Sequence, residues 1–388
     1  MTENKNRSPA PLKICHITSV HQWLDDRIFE RACRGLARKG HKVILIAQRD
    51  KNAVVDGVQI VALQERSGFR RRVFSSFEAF REALWMNADV YHFHDPDLMP
   101  WMALLKLLKG KSIIYDIHEN YRVRFSYHNF PGPVKKLGEI LYDLAERVSI
   151  KFYDGIVVVS DSMAELFRGY SRNMVVVRNM HDHHALDDID EDIEKDDKPV
   201  IYSSGNQSPS RRIDKVIEAM PGILEKHPDA VLRLAGRFSS EEFKQKTLAR
   251  AEELGIRDNI ELLGVVPYQE HIKRTLKAHI GLVLREYDEN TRIASPNRIY
   301  EYMMCGVPLI VEDMPVLRPV IEETGSGLLV DSENPDNVAE AVNRMLDNPQ
   351  MLEEMSENGR RAVREKYNFD IDLEKLIDFY RKIVGRRI

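Results

Sequence analysis

The chain has 388 residues, of which 43% are hydrophobic and 30% are charged, and its formal net charge is −4. This length predicts two domains, since a single ordinary core rarely holds so many residues, and the composition excludes a mainly disordered chain. The negative net charge argues against a dedicated nucleic-acid-binding protein.

Cysteine use and hydropathy indicate where the protein resides. Cys15, Cys33 and Cys305 are far apart in the sequence, so neither a disulfide framework nor a zinc motif is expected and the compartment is predicted to be reducing. We find no signal peptide and no long apolar run, so the expected location is the cytoplasm. Any contact with the inner face of the cytoplasmic membrane is expected to be peripheral.

From Lys13 onward, short β-rich runs alternate with helical patterns, which is typical of a parallel sheet covered on both faces. The helix after the first strand has its apolar residues on one side and ends at Gly40. We predict a disordered tail over 1–11 and a Rossmann-like domain over 12–180. Its predicted strands are Lys13–Thr18, Lys42–Ala47, Val58–Leu63, Asp89–His94, Ser112–Asp116, Ile156–Val159 and Met174–Arg178.

An acidic stretch, HDHHALDDIDEDIEKDDK at 181–198, separates the two halves and is predicted to be a solvated linker. Metal binding by its histidines at 181, 183 and 184 is the alternative interpretation. The alternation then restarts and predicts a second Rossmann-like domain over 199–370, with a final helix at 371–388 that packs toward the first domain. The second set of predicted strands is Val200–Ser204, Ala230–Ala235, Ile260–Leu263, Ile280–Leu284, Val307–Val311 and Gly327–Val330.

The stretch SPNRIYEYMMCGVPLI at 295–310 predicts a short helix with well-specified ends. Ser295 is a preferred N-cap residue, and Pro296 fits the first helical position. Gly306 suits the left-handed residue that ends a helix. The predicted helix therefore runs over about Pro296–Cys305.

Two charged side chains on this helix suggest a nucleotide site. The free backbone N–H groups of the first turn suit a phosphate, and Arg298 adds a planar set of donors. Glu301 follows three residues later on the same face, where a carboxylate can accept hydrogen bonds from two adjacent hydroxyls. A surface ion pair between Arg298 and Glu301 is the alternative.

Other candidate residues follow predicted strands, because ligands of parallel sheets bind beyond the carboxyl ends of the strands. Gly205 ends a strand, permits close approach of a ligand to the backbone, and precedes Arg211 and Arg212. A solvated arginine at a helix start is the alternative for Arg211. No Gly-x-Gly-x-x-Gly fingerprint or P-loop is present, so dinucleotide binding is not supported.

The order of these motifs resembles the retaining glycosyltransferases of family 4, which have the GT-B fold, over nearly the whole chain. The best-matched stretches are SPNRIYEYMMCGVPLI, SSGNQSPSRRIDKVIEAM from Ser203 and GSGLLVDSENPDNVAEAV from Gly325. The resemblance implies an α/β architecture of two Rossmann-like domains facing across a cleft. It also implies that the second domain binds a nucleotide-sugar and that the first receives the acceptor.

The resemblance assigns roles to individual residues. It implies that Glu301 holds the donor ribose, that Arg211 grips the diphosphate, and that His118 contacts the donor sugar or the charge at its anomeric centre. The alternative for His118 is a histidine satisfied by Asp116 or Glu119. The expected donor residues are Gly205, Asn206, Arg211, Arg212, Ser295, Asn297, Arg298 and Glu301. The expected base and ribose loops are Gly236, Arg237 and Val265, Val266, Pro267. The expected residues that line or brace the acceptor cleft are His21, Asp25, Arg27, His94, Asp95 and Glu119.

The chain departs from the family pattern at two positions. Asn206 stands where the family usually has an arginine, and Ile293 stands where it commonly has a second glutamate. A subset of the family with a similar helix start also lacks that glutamate. Candidates for the sugar contacts are therefore Glu286, Glu289 and Asn290.

The implied reaction moves a sugar from a UDP- or GDP-sugar to a glycan or lipid-linked glycan, with retention and with neither cofactor nor metal. A GT-B-type nucleotide-sugar epimerase and a catalytically degenerate sugar-nucleotide-binding partner are the alternatives. Basic and aromatic residues in Phe69–Trp85 and Tyr121–Lys136 suggest contact with an anionic membrane. Core aromatics with solvated arginines would explain them equally well.

Overall fold

We describe the protein from a computed structural model. The structure describes residues 10–66, 71–121, 132–178, 180, 186, 193–287 and 297–385. Several expectations fall mainly outside these ranges: the tail at 1–11, the histidines of the acidic stretch, and Ser295 with Pro296. Across the described ranges, none of the helices combines the length and the hydropathy that a transmembrane span requires.

The chain divides into two compact units. Unit 1 contains Met1–Arg178 together with Asp370–Ile388, and unit 2 contains Asn179–Phe369. The last segment of the chain therefore belongs to the same unit as the first strand. Unit 1 is discontinuous in sequence.

Eight strands form the sheet of unit 1: β1 (Lys13–Gln22), β2 (Lys42–Gln48), β3 (Ala53–Val55), β4 (Val58–Leu63), β5 (Val90–Phe93), β6 (Ser112–Ile117), β7 (Gly155–Val158) and β8 (Met174–Val176). Their order is β3-β4-β2-β1-β5-β6-β7-β8. Neighbouring strands are parallel except for β3, which pairs antiparallel with β4. Each predicted strand overlaps one of these, whereas β3 was not predicted because three residues carry too little pattern.

The α-helices of unit 1 are α1 (Arg34–Arg38), α2 (Ser76–Trp85), α3 (Met99–Lys109), α4 (Gly132–Ile150), α5 (Asp161–Leu166) and, after unit 2, α13 (Phe369–Gly385). Two π-helical segments, Asp26–Cys33 and Arg71–Ser75, lead directly into α1 and α2. Strand β6 is buried along its whole length, and only Lys42 of β2 is exposed. Such continuous burial is expected of parallel strands covered on both faces.

The final helix, α13, packs closely against unit 1 at two glycines. A Cβ atom added at Gly35 would lie 2.7 Å from Leu373 Cδ2, and one at Gly155 would lie 2.5 Å from Phe379 Cζ. Tyr380 of α13 is fully buried, and its hydroxyl lies 2.6 Å from Nδ1 of His92. Because Gly35 and Gly155 carry no side chain, α13 can pack closely against the core of unit 1 at these two positions.

Six parallel strands form the sheet of unit 2: β9 (Val200–Ser204), β10 (Val231–Ala235), β11 (Ile260–Gly264), β12 (Ile280–Val283), β13 (Leu309–Glu312) and β14 (Gly327–Val330). Their order is β11-β10-β9-β12-β13-β14. The helices are α6 (Ile213–Leu224), α7 (Glu241–Glu253), α8 (Tyr268–Leu276), α9 (Arg298–Met304), α10 (Arg318–Thr324), α11 (Pro335–Leu346) and α12 (Pro349–Glu365). Two parallel sheets with intervening helices confirm the predicted α/β fold class.

The helix that the sequence analysis placed at 296–305 is α9, and it is shorter than predicted. It begins at Arg298 and ends at Met304. Gly306 has φ +62°, as expected of a glycine that ends a helix. All the described residues from Ile299 to Met304 are buried, so α9 lies within the core of unit 2 and only its first residue approaches the surface.

Candidate active site

A pocket opens in unit 2 where β9 and β10 end. These parallel strands pair Ser203 with Leu234 and Ser204 with Ala235, so the loops that follow them leave the sheet side by side. The cavity measures about 520 Å³, within the range of roughly 300–1,000 Å³ that small-molecule sites occupy. Its walls are formed by Ser204, Gly205, Asn206, Ala235, Gly236, Arg237, Val265, Val266, Tyr268, His271, Arg298 and Glu301.

Two glycines keep the floor of this pocket free of side chains. Gly205 has φ +95° and Gly236 has φ +123°, values that other residues rarely adopt. A Cβ atom at Gly236 would lie 1.8 Å from the carbonyl oxygen of Gly205, and one at Gly205 would lie 2.0 Å from Nη2 of Arg298. Glycine is therefore required at both positions, and the Arg298 guanidinium lies directly over the Gly205 backbone.

Positive charge is concentrated around Arg298. Burial lowers the pKa of Arg211, and the nearby charges of Arg298 and Arg285 lower it further, to about 9. Like charges in a partly desolvated place repel one another, and a bound dianion would turn that repulsion into attraction. Guanidinium groups also donate two parallel hydrogen bonds to phosphate oxygens. This part of unit 2 is suited to bind a diphosphate.

Glu301 also lines the pocket and lies one turn along α9 from Arg298. It is only 5% exposed, and Oε2 lies 3.1 Å from Nε2 of His271. On the other side of the ring, Nδ1 lies 2.9 Å from the hydroxyl of Tyr202. The ring therefore links the Glu301 carboxylate to a strand of the sheet, which fixes the direction in which the carboxylate can accept hydrogen bonds.

Sequence reasoning missed His271, although it lines the pocket. Its position in α8, four residues after Pro267, gives no local sign of a contact with Glu301 thirty residues later. Tyr268, on the preceding turn of the same helix, was missed for the same reason. Their place after β11, the strand next to β10, was the available signal.

We expect the His271→Ala variant to raise KM for the donor about tenfold, because the loss of one hydrogen bond to a charged group costs roughly 1.5–3 kcal/mol. The effect should fall mainly on KM, since His271 positions Glu301 rather than taking part in bond breaking. Steady-state kinetics check the expectation. The His271→Gln variant, whose amide can still donate to the carboxylate, should recover part of the loss, and unchanged kinetics in both variants would contradict the role.

The structure brings most of the predicted donor residues into this pocket. Gly205, Asn206, Gly236, Arg237, Val265, Val266, Arg298 and Glu301 all line it. Pro267 directly precedes α8, and Asn297 directly precedes α9. Ser295, Glu289 and Asn290 lie outside the described residues, so the predicted phosphate contact at the helix start stays a prediction.

Arg212 is placed differently from the expectation. Its Nη2 atom lies 2.7 Å from Oε2 of Glu333, and Lys215 approaches the same carboxylate. Arg212 also has φ +57° at the start of α6. Of the two adjacent arginines, Arg211 is therefore the one beside Arg298.

A second polar cluster lies in unit 1, where β1, β5 and β6 end. The register pairs His16 with His92 and Phe93 with Tyr115, so His94 and His118 follow their strands at the same edge of the sheet. His94 Nδ1 lies 3.1 Å from His118 Nε2, and both rings approach Asp116. His16, His92, His94 and Asp116 are buried, whereas His118 is partly exposed.

Asp116 is the charged centre of this cluster. Its Oδ1 atom accepts a hydrogen bond from Arg27 at 2.9 Å, and His118 Nε2 lies 3.1 Å from Oδ2. Burial acts to raise the pKa of Asp116, but Arg27 and His118 outweigh it and hold the pKa well below its usual range. Arg27 forms an ion pair with this carboxylate, and His94, Asp116 and His118 lie close enough together that they could also hold a metal ion. The contact of His118 with Asp116 is the one that the alternative interpretation named.

Asp95 and Asp25 brace loops in unit 1. Oδ2 of Asp95 accepts hydrogen bonds from the Thr18 hydroxyl and the Ser19 amide, both at 2.7 Å. Oδ1 of Asp25 accepts from the Arg27 and Ile28 amides at the start of the first helix. Of the predicted acceptor residues, His21, Asp25 and Glu119 keep exposed surface, whereas Arg27, His94 and Asp95 are buried.

The buried histidines predict a pH dependence of stability. Burial lowers the pKa of His16 and of His92, and lowers that of His94 to about 3. The unfolded chain, with histidine pKa values of about 6.5, binds more protons below that pH, so stability is lost as pH falls from about 6.5 toward 3. Denaturant unfolding at pH 7.5, 6.5 and 5.5 should show this fall, and His94→Asn should reduce its slope by about one proton. A slope unchanged by the substitution would contradict the assignment.

Two protein-family models together match most of the chain. The model described as Glycosyltransferase Family 4 matches residues 26–184, and the model described as Glycosyl transferases group 1 matches residues 187–362. The chain belongs to the group 1 glycosyltransferases of family 4. The pocket lies in the part matched by the group 1 model, and the histidine cluster lies mainly in the part matched by the family 4 model.

Individual relatives and solved structures agree with this assignment. A putative glycosyltransferase of Bacillus subtilis (strain 168) is 30% identical over 193 residues, which are 49% of this chain and 46% of the relative. The chain spans about half the length of the first curated relatives that it matches.

Two solved structures match nearly the whole chain. Sucrose-phosphate synthase from Thermosynechococcus elongatus has a TM-score of 0.74 at 14% identity, covering 97% of this chain and 100% of that one. Anabaena HepE in complex with UDP has a TM-score of 0.71 at 11% identity, covering 95% and 99%. At such identities the likeness concerns the fold, and it confirms the predicted GT-B class.

Proposed function

We propose that the protein transfers a sugar from a nucleoside-diphosphate sugar to a hydroxyl of a glycan or a lipid-linked glycan. The observation that carries the proposal is the pocket in unit 2, which is lined by the guanidinium groups of Arg237 and Arg298 and by the buried carboxylate of Glu301. A diphosphate and a ribose diol are the two ligand groups that match these side chains. Arg298 and Glu301 meet them from successive turns of α9.

A UDP-sugar is the first donor to test, and a GDP-sugar the second. The support for UDP is indirect: Anabaena HepE, which shares the fold, was solved with UDP. The loop at Val265 and Val266 provides an apolar wall on which a base can stack beside Gly236 and Arg237. Asn206, where the family usually has an arginine, would contact the diphosphate as an amide donor.

The proposed reaction breaks the bond between the anomeric carbon and the diphosphate oxygen and forms a bond from that carbon to the acceptor oxygen. The products are the glycosylated acceptor, the nucleoside diphosphate and a proton. Negative charge develops on the diphosphate as it leaves, and Arg298 and Arg211 would stabilise it without a divalent metal at that position. His118, partly exposed beside Asp116, is the proposed contact of the transferred sugar. Retention of the anomeric configuration is part of the proposal.

A thermal-shift screen with UDP-, GDP- and ADP-sugars tests the donor, because a ligand at 100 times its Kd stabilises the folded state by about 2.7 kcal/mol. We expect one nucleotide to raise the melting temperature, and to do so equally in EDTA and in magnesium. A shift that appears only with the metal would contradict metal-independent binding.

Turnover separates the proposed function from its alternatives. We expect release of the nucleoside diphosphate in the presence of an acceptor pool, with the new glycosidic bond in the configuration of the donor by proton NMR. A changed sugar formed without release of the nucleotide would point to an epimerase. Binding without release over a wide set of acceptors would point to a sugar-nucleotide-binding partner.

A further inference from the structure

Helix α4 presents its apolar side to solvent. Val134, Leu137, Leu141, Leu144 and Val148 recur at spacings of three and four residues, which places them in one stripe along the helix. Each of them is between 48% and 57% exposed. On the other side of the helix Glu146 is only 1% exposed and Ile150 is buried. This outward apolar stripe is the reverse of what an ordinary surface helix shows.

The neighbouring helices extend the stripe into a wider surface. Helix α3 packs against both α4 and α2. On α3, Leu107 and Leu108 are 69% and 61% exposed, and on α2 Trp85 is 80% exposed. We call the exposed apolar side chains of residues 73–85, 104–108 and 134–152 the three-helix apolar face.

The three-helix apolar face contains more exposed hydrophobic side chains than isolated surface residues would explain. Of the nineteen large hydrophobic side chains that are exposed in the described part of the chain, fourteen belong to this face. Single exposed apolar residues need no explanation, but their concentration on three neighbouring helices marks a surface that a partner covers.

Charge on the same helices indicates the kind of partner. The segments 71–85, 99–111 and 132–152 contain ten Lys or Arg residues and five Asp or Glu residues, whereas the whole chain has a net charge of −4. Lys135 and Lys136 lie in the first turn of α4, and Lys151 directly follows its last residue. An anionic lipid surface is complementary to both properties, because acyl chains receive the apolar side chains and headgroups receive the basic ones. A second copy of the chain would instead bring two surfaces of the same sign together.

We propose that the three-helix apolar face docks on an anionic lipid bilayer. The docking surface differs from the one predicted by sequence, because its largest part is the leucine stripe of α4 and the leucines of α3, and because residues 122–131 lie outside the described ranges. Docking would hold unit 1 at the surface in which a lipid-linked acceptor resides. The link to such an acceptor rests on the proposed function, whereas the docking itself does not.

Flotation of the full chain with vesicles tests the proposal. We expect it to float with vesicles of phosphatidylglycerol and phosphatidylcholine (1:1) in 50 mM NaCl, and at least fivefold less with pure phosphatidylcholine. The triple variant Leu137→Ser, Leu141→Ser, Leu144→Ser should lose at least tenfold in partitioning, and Lys135→Glu with Lys136→Glu should lose binding to the anionic vesicles selectively. Val54→Ser, at a 73% exposed site on β3 at the far edge of the sheet, is the matched control and should bind as wild type does.

Three outcomes would overturn the proposal: wild-type protein that stays with the soluble fraction, a triple variant that floats as wild type does, or a stable wild-type dimer that the triple variant converts to monomer. The melting temperature of each variant shows that it is folded. The thermal shift with a UDP-sugar should be the same in all variants, since the pocket lies in unit 2. A protein that binds vesicles but no nucleotide would refute the proposed function and leave the docking proposal standing.

Discussion

Replacing Glu301 with alanine is expected to lower kcat/KM for sugar transfer about 1,000-fold. The proposed role gives the carboxylate two hydrogen bonds from the ribose hydroxyls, and hydrogen bonds to charged groups contribute roughly 1.5–3 kcal/mol each. Because 1.4 kcal/mol corresponds to tenfold, the loss of both bonds amounts to two to four orders of magnitude. Steady-state transfer assays with the donor identified in the thermal-shift screen measure it.

Two further variants make the Glu301 result interpretable. Glu301→Gln keeps the shape of the buried side chain beside His271, so it separates the loss of charge from the loss of packing. Glu340→Ala removes an exposed carboxylate of α11 and should leave transfer unchanged. A Glu301→Ala protein that melts as wild type does and transfers sugar at the wild-type rate would remove Glu301 from the proposed site.

Replacing Arg298 with alanine is expected to weaken UDP binding about 100-fold without destabilising the free protein. The guanidinium groups of Arg298 and Arg211 repel each other in the free protein, as the lowered pKa of Arg211 shows after the effect of burial. Removal of one charge relieves that repulsion, so the melting temperature without ligand should stay the same or rise. The stabilisation by UDP should fall, because bidentate contacts to the diphosphate are lost.

Replacing a purely structural arginine would not weaken UDP binding while leaving the melting temperature of the free protein unchanged or higher. Calorimetric titration and thermal melts with and without UDP measure both quantities on the same samples. Arg298→Lys keeps the charge but loses the planar guanidinium group. Its affinity for UDP should lie between that of the wild type and that of Arg298→Ala. Arg344→Ala, at an exposed position of α11, is the matched control. A drop in the melting temperature of the free Arg298→Ala protein, with unchanged UDP affinity, would contradict the assignment.

Much of the fold was accessible from the sequence because parallel strands and their helices have strong local patterns. Runs such as VILIA at 43–47 are apolar over their whole length, as buried parallel strands must be. The helix that carries Arg298 and Glu301 was found from the same kind of local signal, with Gly306 at its end. The three residues of β3 and the exact ends of α9 were not found, because so few residues carry no periodicity.

The orientation of the apolar stripe of α4 could not be predicted from the sequence. The heptad-like spacing of its leucines predicts an apolar stripe, but spacing does not say whether the stripe faces the core or the solvent. Only the packing of Glu146 against unit 1 decides this. An interpretation from pattern alone would have placed the leucines inside.

The sequence by itself determined the alternation of strands and helices, the glycines that end β9 and β10, and the presence of an arginine and a glutamate one turn apart on α9. The tertiary structure decided which side chains meet: His271 with Glu301, Arg211 rather than Arg212 with Arg298, and the last helix with the core of unit 1. The physical reason is that a parallel sheet gathers the carboxyl ends of strands that are distant in the chain. Local periodicity records the conformation of each segment, and the contacts between segments follow only from how the strands are ordered.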